Sequence, residues 1–121
     1  MKKILFVDDE KDMVEVVASR LRASNYNVIL AYDGQEALDK AHKEKPDLII
    51  LDLMLPKMDG YWVCGLLKAD VRYNKIPVII FTARAHESDK QMGQDVGADA
   101  YITKPFEPQE LLTKIKELLK E

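Results

Sequence analysis

A chain of 121 residues has the length of one domain and can bury one core. Its net charge of −3 is spread over both signs with no basic block, which sets aside direct binding of nucleic acid. The single cysteine, Cys64, excludes an internal disulfide and fits a reducing compartment. No stretch approaches the roughly 20 apolar residues of a membrane span. The basic start Met1-Lys2-Lys3 leads into Ile4-Leu5-Phe6-Val7 and then into acids. That run is too short for a secretory leader, so the expected location is the cytoplasm.

Ile4-Leu5-Phe6-Val7 reads as a first strand ending on Asp8-Asp9. Residues 10–24 repeat Met13, Val17 and Leu21 every fourth position, with Val14 beside them, which predicts a helix. Asp9 and Glu10 suit its N-terminus, where the helix dipole favours negative charge. Asn25-Tyr26-Asn27 predicts a turn and Val28-Ile29-Leu30-Ala31 a second strand. Asp33, with Glu36 three residues on, predicts a capped helix whose apolar face is Ala37, Leu38 and Ala41. Glu44-Lys45-Pro46 ends it.

Leu48-Ile49-Ile50-Leu51 is apolar without alternation, as in a strand covered on both faces, and it ends on Asp52. A loop over Met54-Leu55-Pro56-Lys57-Met58-Asp59-Gly60 follows, where Asp59 and Gly60 serve the turn. Val63, Leu66 and Leu67 then mark a third helix, running to about Asp70. Pro77-Val78-Ile79-Ile80-Phe81 predicts a fourth strand, ending on Thr82. The signal for a fourth helix over 86–96 is poor: Met92 and Val96 are its apolar anchors, and Gly93 inside costs up to about 1 kcal/mol relative to Ala. Gly97 suits its stop. Ala100-Tyr101-Ile102-Thr103 predicts a fifth strand, ending on Lys104-Pro105. Pro108 fits a first helical position, and Leu111, Leu112, Ile115, Leu118 and Leu119 stripe the last helix.

Strict alternation of strand and helix predicts one α/β domain over 1–121. Its doubly wound parallel sheet has helices on both faces and right-handed crossovers. All carboxyl ends of such a sheet share one edge, where open α/β sheets bind ligands. That edge receives Asp8, Asp9, Asp52, Thr82 and Lys104. Two carboxylates about 4 Å apart repel by roughly 4 kcal/mol at an effective dielectric of 20, so the acids invite a cation. Hard oxygen ligands suit Mg²⁺. A carboxylate such as Asp52 is a competent nucleophile toward phosphorus, and Lys104 and Thr82 supply charge and a hydroxyl donor for a phosphoryl group.

These residues resemble the receiver domain of two-component response regulators. The likeness runs from Lys3-Ile4-Leu5-Phe6-Val7-Asp8-Asp9-Glu10 through Asp52–Gly60 to Thr82-Ala83 and Lys104-Pro105-Phe106. The resemblance implies a flavodoxin-like (βα)5 fold with strand order 2-1-3-4-5. It makes Asp52 the phosphoacceptor. Asp9, Asp52 and the backbone carbonyl of Met54 would bind Mg²⁺ directly, and Asp8 through water. Lys104 would pair with phosphoryl oxygens beside a cis bond to Pro105. Thr82 would move onto the phosphoryl group, with Tyr101 turning inward behind it. The donor would be a phosphohistidine on a sensor histidine kinase or histidine phosphotransfer protein.

By the same resemblance the chain is a phosphoacceptor switch that catalyses its own phosphorylation and a slow dephosphorylation, tuned at Met54 and Arg84. Its output is the surface of helix 4, strand 5 and helix 5, read by a downstream effector. The weakly anchored fourth helix is the element expected to move. The last helix carries lysines only, without the arginine that many transcription-factor receivers use to dimerise on that face.

Other readings fit less well. A dehalogenase-type phosphatase wants a second acid two residues after the nucleophile, where this chain has Met54. A flavin carrier needs a hydroxyl- and glycine-rich phosphate loop, where Asp8-Asp9-Glu10 would repel phosphate. A degenerate receiver is at odds with the complete acidic set. His42 and His86 stand too far from other ligands for a metal site, and nothing nearby activates Cys64.

Overall fold

The computed structural model describes residues 1–83, 91, 92 and 94–121. The elements are β1 (Lys3–Val7), α1 (Lys11–Ala23), β2 (Asn27–Ala31), α2 (Gly34–Glu44), β3 (Leu48–Leu51), α3 (Gly60–Ala69), β4 (Val78–Thr82), β5 (Ala100–Thr103) and α4 (Pro108–Leu119). The five strands form one sheet in the order β2-β1-β3-β4-β5, with every neighbouring pair parallel.

Alternation along each strand sorts the core into two layers. Ile4, Phe6, Ile50, Ile79 and Phe81 face α1 and α4 and pack on Val14, Leu21, Leu111 and Ile115. Leu5, Val7, Ile49, Leu51 and Val78 face α2 and α3 and pack on Ala37, Ala41, Val63 and Leu67. β3 is buried at every position, which explains its unbroken apolar sequence.

Local signals read from the sequence set several boundaries. Asp33 Oδ1 accepts from the Glu36 N–H at 2.8 Å, and Glu36 Oε1 accepts in return from the Tyr32 N–H at 2.9 Å. Lys45 closes α2 in the left-handed region, and Pro108 opens α4.

Arg84, His86, Gly93 and most of the predicted fourth helix lie outside the described residues. Gln91, Met92, Gln94 and Asp95 are helical, and the Val96 N–H donates to the Met92 carbonyl at 3.0 Å. Gly97 ends this segment at φ +90°, as expected of a C-terminal glycine.

Leu66 departs from expectation. It is one of the apolar residues that mark α3 but is 40% exposed, because the buried stripe runs through Val63, Cys64 and Leu67. Tyr26, in the predicted turn before β2, is buried.

Candidate functional site

The sheet's own hydrogen bonds continue one residue past the strands and fix the polar groups at its carboxyl edge. The Asp8 N–H donates to the Ala31 carbonyl at 3.1 Å, and the Asp52 N–H to the Val7 carbonyl at 3.0 Å. On the far side, the Lys104 N–H donates to the Thr82 carbonyl at 2.7 Å. The Lys104–Pro105 bond is cis, as expected. Phe106 then packs edge-on against Phe81 at 4.7 Å, and the Lys104 ammonium lies 5.1 Å from the Phe81 ring centroid.

Asp8, Asp52 and Thr82 are the buried polar side chains among the described residues. They are brought together with Lys104 from four different strands, as the sequence predicted. Lys104 Nζ donates to Asp8 Oδ2 at 2.9 Å, to Asp52 Oδ2 at 3.3 Å and to Glu10 Oε1 at 3.4 Å. Oxygens of Asp8, Glu10 and Asp52 all lie within 4.8 Å of one another. Burial pushes the Asp8 carboxyl above the ordinary carboxylate range. The Glu10 N–H and Lys104 oppose that shift, and the Asp52 charge adds to it. For Lys104 burial works against the ammonium, but the bond to Asp8 and the charges of Asp52, Asp8 and Glu10 outweigh it and hold it above the ordinary lysine value.

Asp9 is exposed and stands outside the carboxylate cluster, where Glu10 takes a place. Sequence reasoning assigned Glu10 to the helix N-terminus. Its reach to Lys104 has a signal in hindsight, a long acid two residues after Asp8. Met54 is exposed, and its N–H lies 3.4 Å from Asp52 Oδ1. Thr82 is buried at the end of β4, and Tyr101 is half-buried in β5, in register with Ile80.

Gly60 matters more to the site than a turn residue would. A Cβ there would sit 2.3 Å from the Asp52 carbonyl oxygen and 2.7 Å from Leu53 Cα. Its N–H donates to the Leu53 carbonyl at 3.0 Å, and Asp59 caps α3 through the Tyr61 N–H at 2.7 Å. The start of α3 thus presses directly on the backbone that carries Asp52.

Clustered carboxylate oxygens are the donor set a hard divalent cation takes, so the residues present fit Mg²⁺. No helix among the described residues is long and apolar enough to cross a membrane.

Known proteins resemble this chain in sequence and in fold. The Bacillus subtilis alkaline phosphatase synthesis transcriptional regulatory protein PhoP is 50% identical over 121 residues, covering 98% of this chain and 49% of the relative. A probable transcriptional regulator, ycf27, of Guillardia theta is 42% identical, covering 98% of this chain and 46% of its own. The chain spans about half the length of these curated relatives. Among solved structures, a CheY-like response regulator receiver domain protein from Methanospirillum hungatei superposes with a TM-score of 0.93 at 32% identity, covering 99% of this chain and 94% of that one. The receiver domain of the sensor histidine kinase PA1611 from Pseudomonas aeruginosa has a TM-score of 0.91 at 30% identity, covering 99% and 98%. That protein was crystallised with a magnesium ion coordinated in its active site cleft. The response regulator receiver domain family matches residues 4–116, and this chain, a receiver domain of two-component signalling, belongs to it.

Proposed function

We propose that Asp52 accepts a phosphoryl group from a partner phosphohistidine and that the chain works as a switch. The observation that carries this reading is the buried Asp52 carboxylate with the Lys104 ammonium 3.3 Å away. An Asp52 oxygen forms the new P–O bond as the P–N bond to the donor imidazole breaks, and the imidazole leaves with a proton from water. Lys104 neutralises the phosphoryl oxygens, and Thr82 turns its hydroxyl toward them while Tyr101 follows inward. Mg²⁺, when bound, neutralises charge on the attacking and transferred oxygens. Asp9, Asp52 and the Met54 carbonyl would hold it directly and Asp8 through water. Met54 and Arg84 control access of the hydrolytic water and keep dephosphorylation slow.

The donor is a sensor histidine kinase or phosphotransfer protein in the cytoplasm. The phosphorylated chain catalyses its own slow reset and presents the face of β5, α4 and the helical segment before Gly97 to an effector.

Intact mass after incubation with acetyl phosphate tests the chemistry. The native chain gains one phosphoryl group in a Mg²⁺-dependent way as acetate leaves, and Asp52→Ala gains none. A gain that persists in Asp52→Ala places the acceptor elsewhere.

A further inference from the structure

Lys104 is shared by three carboxylates, and the third, Glu10, has no part in the phosphoryl transfer proposed above. Glu10 is the N-cap residue of α1, yet its side chain makes no cap bond to that helix. Its carboxylate instead meets Lys104 Nζ at 3.4 Å. The Glu10 N–H donates to Asp8 Oδ1 at 3.0 Å, which anchors its backbone beside the buried acid. The Glu10 side chain is 64% exposed, against 0% for Asp8 and 4% for Asp52, so it holds the ammonium from the solvent side.

We propose that Glu10 is a positioning residue that restrains Lys104 from the phosphoryl group and so slows phosphorylation of this receiver. The inference rests on Asp52 being the phosphoacceptor. To engage phosphoryl oxygens on Asp52, the ammonium must loosen its other contacts, and Glu10 is the outermost of them. An exposed ion pair is weak and screened by salt, so the restraint sets a rate modestly and in an ionic-strength-dependent way.

The test is the rate constant for phosphorylation by acetyl phosphate at saturating Mg²⁺ in four chains: native, Glu10→Gln, Glu10→Asp and Glu15→Gln. Glu10→Gln should react about threefold faster than native at low salt, the factor that loss of one exposed pair supports. The two rates should converge near about 1 M salt, where screening reaches about 3 Å. Glu10→Asp keeps the charge but shortens the reach, and should behave like Glu10→Gln. Glu15→Gln, an equal charge change on the exposed side of α1, should track native.

A Glu10→Gln rate equal to or below native overturns the proposal, as does a Glu10→Asp rate equal to native. Both leave the Asp52 reading standing as long as the native chain gains its phosphoryl group. A native chain that gains none overturns both together.

Discussion

The two edges of the sheet use charge in opposite ways. At the amino edge each acid has its own donors. Asp99 Oδ2 accepts from Lys68 Nζ and from the Val78 N–H, both at 2.8 Å. Asp47 accepts from the Lys3 N–H at 2.7 Å, and Glu121 accepts from the Tyr26 hydroxyl at 2.7 Å. These contacts tie loops and helix ends to the strands. At the carboxyl edge one ammonium serves three acids, two of them buried. Buried acids in excess of cations are a poor way to stabilise a fold, since an apolar filling would serve as well or better. The amino edge is built for stability, and the carboxyl edge keeps a charge imbalance that a cation and a phosphoryl group can use.

Removing the ammonium should therefore cost the most. Lys104→Met keeps an apolar stem but strips the cation from Asp8 and Asp52. The expected loss is about 3 kcal/mol at neutral pH, read from the urea midpoint. The pH dependence has a definite sign. The Asp8 carboxyl is raised in the native fold, so its charged form weakens folding above its folded pKa, and that cost vanishes below the ordinary value of about 4. Without Lys104 the rise is larger, so the deficit of the variant should shrink as pH falls from 7 toward 4. Lys104 is itself raised, so its own contribution is full below the ordinary lysine value and lost as pH climbs through the folded one. A deficit that stays constant across this range would mean that Lys104 acts by packing, and the contrast between the edges would lose its electrostatic basis.

Gly60→Ala probes the same edge through its backbone. The new Cβ collides with backbone atoms of Asp52 and Leu53, which have no flexible side chain to give way. Overpacking of this kind costs about 2 kcal/mol. It also shifts Asp52 against Lys104, so the phosphorylation rate should fall along with the urea midpoint. A stable variant with normal phosphorylation would show that α3 does not position the acceptor.

Much of this edge was legible in the sequence because strand ends are. A parallel sheet gathers the residue after each apolar run, so the sequence alone groups Asp8, Asp52, Thr82 and Lys104. Glu10 left only a faint signal, a long acid two residues after Asp8, since its contact with Lys104 depends on side-chain reach across a turn rather than on a strand end. Asp9, adjacent to Asp8, is exposed and stands outside the cluster, so its part as a direct ligand rests on the resemblance and not on the placement of its side chain. Leu66 helps to mark α3 yet is 40% exposed, because helical spacing gives a stripe but not its edges. At the amino edge, Tyr26 sat between two asparagines and read as a turn. Its ring packs in the core layer with Leu21 and Val28, and its hydroxyl reaches Glu121, 95 residues away, which no local pattern reveals.

Tyr26→Phe measures how little a single amino-edge contact weighs. The variant keeps the ring, which packs in the layer with Leu21 and Val28, and loses only the hydroxyl bond to Glu121. One neutral hydroxyl donor to an acid supports a loss of about 1 kcal/mol. Burial, the bond to Glu121 and its charge push the Tyr26 hydroxyl up to about 12. The Tyr26 hydroxyl should therefore ionise late in an alkaline spectrophotometric titration, and that late step should vanish in Tyr26→Phe. Because the folded pKa is raised above the ordinary value near 10, unfolding releases this proton between about 10 and 12. Stability of the native chain should fall across that window more steeply than that of the variant, so the gap between them narrows. A loss as large as that of Lys104→Met would instead make one amino-edge contact as costly to break as the buried network. The division of labour between the two edges would then be a matter of burial depth rather than of charge balance.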